Sequence, residues 1–221
     1  MIVLGFDTAT PSTSVALLGT SGEPLELRDD PRGSSRGEHS ECVLRLAREL
    51  LVQAELDWSA LDLIAVGSGP GGYTGLRIGI ATARGLALAL GARLAGVCTL
   101  RALAQPVGAV TTLALLDGRR GELFAAAYAD DAELLAPRVI RPEDLAATVA
   151  ELDAPRVCAV GDGAELERAR LEELGVEVAA ADSPLQHVSA AAICAIAARE
   201  PTATTAPLYL RRPDAELALE R

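Results

Sequence analysis

The stretch GSGPGGYTGLRIG, from Gly67 to Gly79, follows a short apolar run and opens a helical pattern. Free backbone N–H groups and the helix dipole at such a junction could cradle an anion. Gly67, Gly69 and Gly72 spell G-x-G-x-x-G. A dinucleotide site, however, needs an acidic residue about twenty positions further on to grip a ribose, and residues 63 to 116 contain no Asp or Glu. A P-loop needs a closing Gly-Lys-Ser/Thr, where this chain has Gly75, Leu76 and Arg77. Two readings stay open for the segment. It is a tight strand-to-helix turn with Thr74 as helix cap, or it launches an apolar helix toward another subunit, with Tyr73, Thr74 and Arg77 at the edge of the contact.

Asp7 and Asp117 each follow a short apolar strand pattern and precede a turn. Carboxylates at strand ends can hold a metal ion or orient water near phosphates, so Asp7, Thr8 and Asp117 form a candidate vestigial phosphate site. The plainer reading makes them turn caps. His39 and Ser40 with Asp7 suggest a hydrolase triad, but neighbours at a helix start do not face each other as base and nucleophile. A metal site needs converging ligands, and His39 and His187 stand far apart, so no metal site and no catalytic residue is expected. His39 reads as a solvated residue at a helix start. Cys42, Cys98, Cys158 and Cys194 form no C-x-x-C pair and sit among apolar residues, which predicts buried, reduced thiols.

The elements that must position these residues repeat. Strands are predicted at Ile2–Phe6, Thr13–Leu18 and Pro24–Arg28, a polar loop at Asp29–Gly37, a helix at Glu38–Leu56 and a strand at Asp62–Val66. A helix at Thr74–Leu90, a strand at Arg93–Val97 and a short helical stretch to Ala104 complete the half. Past Pro106 the order restarts, with strands at Leu113–Leu116, Glu122–Tyr128 and Leu134–Ile140 and a helix at Pro142–Leu152. Val157–Val160, a helix at Ala164–Leu174, a strand at Val176–Ala179 and a helix at Val188–Arg199 follow. Both halves read βββαβαβα, with one aspartate after each first strand. This is the layout of the actin-like ATPase (ribonuclease H-like) α/β superfold, with two unrelated α/β lobes as the alternative. The domains expected are 1–105 and 106–221, the C-terminal segment having the option of packing back on the first half.

Half of the 221 residues are hydrophobic, enough for a sizeable core. No basic leader precedes Asp7, and the Leu76–Leu90 run carries Arg77 and Arg84, too short and charged for a bilayer span. A soluble, cytoplasmic protein without membrane association is expected. A net charge of −11 with one Trp, three Tyr and two Phe argues against autonomous nucleic-acid binding. The acid-free stretch 63–116 is the exception, a locally basic third with Arg77, Arg84, Arg93 and Arg101. The Thr74–Leu90 helix is apolar nearly all round, which implies burial on several faces. Together with the preceding helix it predicts a partner interface containing Tyr73, Thr74, Arg77, Ile80, Arg84, Leu86, Val43, Leu46 and Leu50.

VLGFDTATPSTSVALL, the HSE at His39–Glu41, GPGGYTGLRIGIATARGLA, DGRRGELFAAAY and the closing PLYLRRPDAE together resemble the TsaB (YeaZ) family over most of the chain. Gly72 and Tyr73 stand where that family usually has Ser and Phe, and Gly118 where Ala is usual. The resemblance implies a non-catalytic subunit of the bacterial machinery that makes threonylcarbamoyladenosine in tRNA. It implies pairing with a TsaD-like catalytic subunit through the two helices of the first half, a TsaE-like ATPase as further partner, and a homodimer when the chain is alone. TsaD-like proteins carry a histidine pair on the first of these helices, which this chain lacks. ATP or ADP and a metal would then be held by the partner subunits, with no cofactor of the chain's own, and tRNA would be met only through the complex. A free-standing nucleotide-dependent enzyme, such as a small kinase or ATPase, is the alternative.

Overall fold

A computed structural model describes residues 1–19, 23–30, 39–108, 110–200 and 205–211. Most of the predicted polar loop, the residue Glu38 and the end of the PLYLRRPDAE motif lie outside the described residues. The chain divides into two compact units, Met1–Ala102 with Val188–Pro207, and Leu103–His187 with Leu208–Arg221.

The first unit is built on a five-stranded sheet. Strands β1 (Val3–Asp7), β2 (Thr13–Leu18) and β3 (Leu25–Asp29) form an antiparallel meander, and β4 (Leu63–Gly67) and β5 (Arg93–Val97) add to β1 in parallel, giving the order β3-β2-β1-β4-β5. The central strands β1 and β4 are apolar runs buried on both faces, as parallel strands require. Edge strand β3 alternates Leu25 and Leu27 with Glu26 and Arg28 and stays largely exposed.

Helix α1 (His39–Gln53) and helix α2 (Tyr73–Leu90) pack Val43, Leu46, Leu50, Leu76, Ile80 and Ala83 with Leu4, Phe6, Val15 and Val66. The six-residue α3 (Thr99–Ala104) follows β5. Gly72 is the N-cap of α2, and its N–H donates to the Ala9 carbonyl at 2.6 Å. Thr74 therefore lies within the first turn and is not the cap predicted for it. Gly91 closes α2 in the left-handed conformation.

The second unit repeats the meander with β6 (Thr111–Arg119), β7 (Glu122–Ala129) and β8 (Ala132–Ile140), and adds β9 (Val157–Val160) and β10 (Glu177–Val178) in the order β10-β9-β6-β7-β8. Pro137 is tolerated because β8 is an edge strand. Strand β6 does not stop at Asp117 as predicted. It runs to Arg119 through an irregularity in register, and the hairpin turns on Arg119, Arg120 and Gly121, all at positive φ. Helix α4 (Leu145–Glu151) begins after a single tight turn at Pro142–Asp144. The predicted 164–174 helix is two pieces, α5 (Asp162–Leu166) and α6 (Arg168–Glu173), interrupted at Glu167, whose φ of −104° is not helical.

Helix α7 (Ala190–Arg199), counted with the second half by pattern, packs on β1 and β2 of the first unit. Two features seat it. Glu26 on β3 accepts the Ala190 N–H at 2.7 Å and the Ser189 hydroxyl at 3.0 Å, placing a carboxylate at the positive end of the helix. Gly5 lets the helix approach closely, since a Cβ there would lie 2.5 Å from Cys194 Sγ and 3.1 Å from the Ala190 carbonyl. Gly5→Ala is expected to cost about 1–3 kcal/mol by overpacking. Cys194→Ala in the same chain should recover a large part of that loss in urea unfolding. Strict additivity of the two substitutions would contradict this packing.

Candidate functional site

The site centres on the turn Asp7–Thr8–Ala9, where β1 ends. All three side chains are buried, and the Gly67–Gly79 segment wraps them. A Cβ on Gly67 would lie 1.9 Å from Asp7 Oδ2, one on Gly71 2.3 Å from the Ala9 carbonyl, one on Gly75 2.0 Å from the Thr8 carbonyl, and one on Gly79 2.2 Å from Thr8 Oγ1. Glycine spaced by four thus lets the loop and the first turns of α2 lie directly on this turn. The Thr8 hydroxyl donates to the Gly75 carbonyl at 2.8 Å. The segment reads as a packing device around its own chain, and these four glycines face protein.

Asp7 itself is fully engaged. Oδ1 accepts the Ala9 N–H at 2.9 Å and Oδ2 accepts the Thr99 hydroxyl at 3.2 Å. Thr99 Oγ1 in turn accepts the Gly69 N–H at 3.1 Å, and the Thr99 N–H donates to the Gly69 carbonyl at 2.8 Å. Burial is the largest influence on this carboxyl and raises its pKa to about 6, against the opposing effect of the hydrogen bonds. Asp117, the other aspartate of the candidate phosphate site, is a turn residue in the second unit. Its Oδ1 accepts the Arg119 N–H at 2.7 Å, its carboxylate lies 3.5 Å from Arg119 Nε, and its own N–H donates to Asp162 Oδ1 at 2.9 Å. Asp162, which the sequence reading did not single out, has its pKa raised, chiefly by burial.

His39 is half-buried, with Nδ1 2.8 Å from Thr13 Oγ1, and burial lowers its pKa. It is thus a packed residue that ties the start of α1 to β2, not the solvated one predicted. His187 lies in the other unit. No group of three or more His, Cys, Asp or Glu residues suited to a metal ion occurs among the described residues. All four cysteines are free thiols, but only Cys42 and Cys194 are buried, while Cys98 and Cys158 are partly exposed. Burial pushes the Cys42, Cys158 and Cys194 thiols up, away from the reactive thiolate.

The residues predicted for a partner interface separate into two sets. Val43, Leu46, Leu50 and Ile80 are consumed by the core beneath α1 and α2, and Leu86 packs at its margin. Helix α2 is therefore buried on one side only, and its outward side carries Tyr73, Thr74, Arg77, Ala81, Gly85 and Leu88. Leu88 is 87% exposed, and on α1 Val52 is 69% and Leu44 43% exposed. Arg77 stacks over the Tyr73 ring at 3.9 Å. The locally basic third is partly spent inside the unit: Arg84 donates to the side chain and carbonyl of Thr205, and Arg101 pairs with Glu200 through both carboxylate oxygens. Hydropathy could not have revealed that Leu88 and Val52 are the outward residues, whereas helical phase from the buried set does.

Comparison with known proteins extends this picture. The TsaD family, tRNA N6-adenosine threonylcarbamoyltransferase, matches residues 31–218. TsaB of Escherichia coli is 39% identical over 137 residues, 59% of this chain, and the chain spans just over half, 56%, of that curated relative's length. An uncharacterized Mycobacterium tuberculosis protein is 34% identical over 220 residues, covering 97% of this chain and 93% of its own. The solved structure of YeaZ from Pseudomonas aeruginosa superposes with a TM-score of 0.74 at 29% identity, covering 95% of this chain and 99% of that one. The ROK hexokinase of Thermus thermophilus, at 12% identity and a TM-score of 0.55, shares the fold alone.

With its two five-stranded mixed sheets, the protein is an α/β protein of the actin-like ATPase class. Within the reach of the TsaD family model, the chain belongs to the TsaB (YeaZ) family.

The raised pKa of Asp7 gives a pH signature. Because the folded carboxyl binds its proton more tightly than the unfolded one, ionised Asp7 weakens folding above pH 6 and the penalty fades as pH falls toward 3.8. From the two pKa values the penalty is about 3 kcal/mol at pH 7.5 and about 1 kcal/mol at pH 4.5. The stability difference between Asp7→Asn and wild type, measured by urea unfolding across this range, should shift by about 2 kcal/mol in favour of wild type on acidification. A pH-independent difference would show that Asp7 is not the buried acid described.

Proposed function

We propose that the chain is a non-catalytic subunit in the synthesis of threonylcarbamoyladenosine in tRNA, pairing with a TsaD-like catalytic subunit through the outward faces of α1 and α2. The observation that carries the reading is the exposure of Leu88, Val52 and Leu44 on helices whose other faces are already packed. In this reading the exposed aliphatic side chains of α1 and α2 are the apolar surface offered to the partner. Tyr73 and Arg77 add an aromatic and a guanidinium, residue types that anchor interfaces. The names of the TsaB relatives and the TsaD family match support the pathway.

A catalytic role of the chain's own is not favoured by Asp7, whose oxygens are both occupied by protein donors under a glycine lid. In this reading ATP or ADP and any metal are held by the TsaD-like and TsaE-like partners, tRNA is met through the complex, and the chain alone pairs with itself through the same helices. No helix of the described residues is long and apolar enough to cross a membrane, which accords with work in the cytoplasm.

Leu88→Glu should leave the thermal melting of the isolated chain nearly unchanged, because the side chain is largely exposed. The same substitution should weaken pairing with the TsaD-like subunit about tenfold or more in sedimentation or titration calorimetry, as loss of a central apolar contact does. Undiminished pairing would reject the helix assignment. ATP hydrolysis by the isolated chain that disappears in Asp7→Asn would instead favour the nucleotide-dependent enzyme.

A further inference from the structure

Asp7 presents an imbalance. A carboxylate is buried at the end of a central strand, where hydrogen bonds and no opposite charge among the described residues offset the cost of burial, which dominates its energetics. A turn needing only a cap would be served by a neutral Ser or Asn at less cost. What the carboxylate holds is specific. One oxygen fixes the Ala9 N–H, and the Ala9 carbonyl in turn receives the Gly72 N–H that starts α2. The other oxygen fixes the Thr99 hydroxyl, which receives the Gly69 N–H of the preceding loop. Both chains of contact end on the loop and first turn of α2, and Thr8 adds a third through the Gly75 carbonyl.

We propose that Asp7 is a positioning residue for partner binding: through Ala9 on one side and Thr99 on the other it sets the pose of the N-terminal turns of α2, and with them Tyr73 and Arg77. The inference rests on the reading of α2 as a docking helix. It assigns to the aspartate of the candidate phosphate site a different task, that of fixing a protein surface. Helix position matters here because Tyr73 and Arg77 stack on one another at the helix start, so a shift of the first turn displaces both at once. The close glycine contacts leave no slack, since Gly71, Gly75 and Gly79 lie directly on the turn that Asp7 organises.

The test uses the full chain and amide hydrogen exchange. In Asp7→Ala and in Thr99→Val, amides from 69 to 79 are expected to exchange about tenfold faster, while those of β6 and β7 keep wild-type rates. Asp7→Asn, which keeps an acceptor for Ala9 and offers a donor to Thr99, should stay within about twofold of wild type. Affinity for the purified TsaD-like subunit should fall about tenfold in the first two variants and be retained in Asp7→Asn. If Asp7→Ala does not fold, Thr99→Val decides.

Wild-type exchange at 69–79 in Thr99→Val would overturn the proposal. So would faster exchange with unchanged affinity while Leu88→Glu still blocks pairing, an outcome that keeps the docking reading. If Leu88→Glu also leaves pairing intact, the docking reading itself falls, and the proposal with it.

Discussion

The contact on which the first unit depends is that between the Asp7–Thr8–Ala9 turn and the glycines of 67–79. A side chain on any of Gly67, Gly71, Gly75 or Gly79 would enter space already held by the turn. Backbone lies against backbone there, and the polar groups that such contact buries are paired, Thr8 with the Gly75 carbonyl and Ala9 with the Gly72 N–H. The position of α2 follows from this seal. The core beneath α1 and α2 follows in turn, because Leu76, Ile80 and Ala83 reach the sheet only with the helix so placed.

The same seal engages the groups that a nucleotide-binding turn would offer. In a nucleotide-binding turn the glycine N–H groups must be open to a ligand. Here the Gly69 and Gly72 N–H groups are used by Thr99 and Ala9, and the acid that would be available to a metal is turned to the interior. The outward surface of the unit is left to its helices. The helices on that surface carry exposed aliphatic residues, Leu88 on α2 and Val52 and Leu44 on α1, and these are the basis of the proposed association.

Much of this was legible in the residues. Period-two and fully apolar runs placed every strand to within a few residues, and the 3.6-residue spacing of α1 was clear, whereas α2 read as apolar nearly all round. The reading against the dinucleotide and P-loop motifs rested on the missing acid and the missing lysine alone. Less legible were the break at Glu167, where no Gly or Pro announces the end of α5, and the extension of β6 past Asp117 to Arg119, the first of two arginines at positive φ. Val43, Leu46, Leu50 and Ile80 were correctly read as apolar, and they lie in the core beneath α1 and α2. Hydrophobicity tells that a side chain leaves water and not which surface receives it.

The sequence by itself determined the class of fold, the doubled meander-and-helix pattern, the family and the absence of a recognisable phosphate motif, because each of these is written in local spacing. Only the tertiary structure decided that α7 belongs to the first unit, through Gly5 and Glu26, residues far from it in the chain. It also decided that the glycine-rich loop faces its own aspartate and that Leu88 and Val52 face outward. The reason is the same in each case. These are contacts between residues distant along the chain, and neither composition nor period records which surfaces meet when the sheet closes beneath its helices.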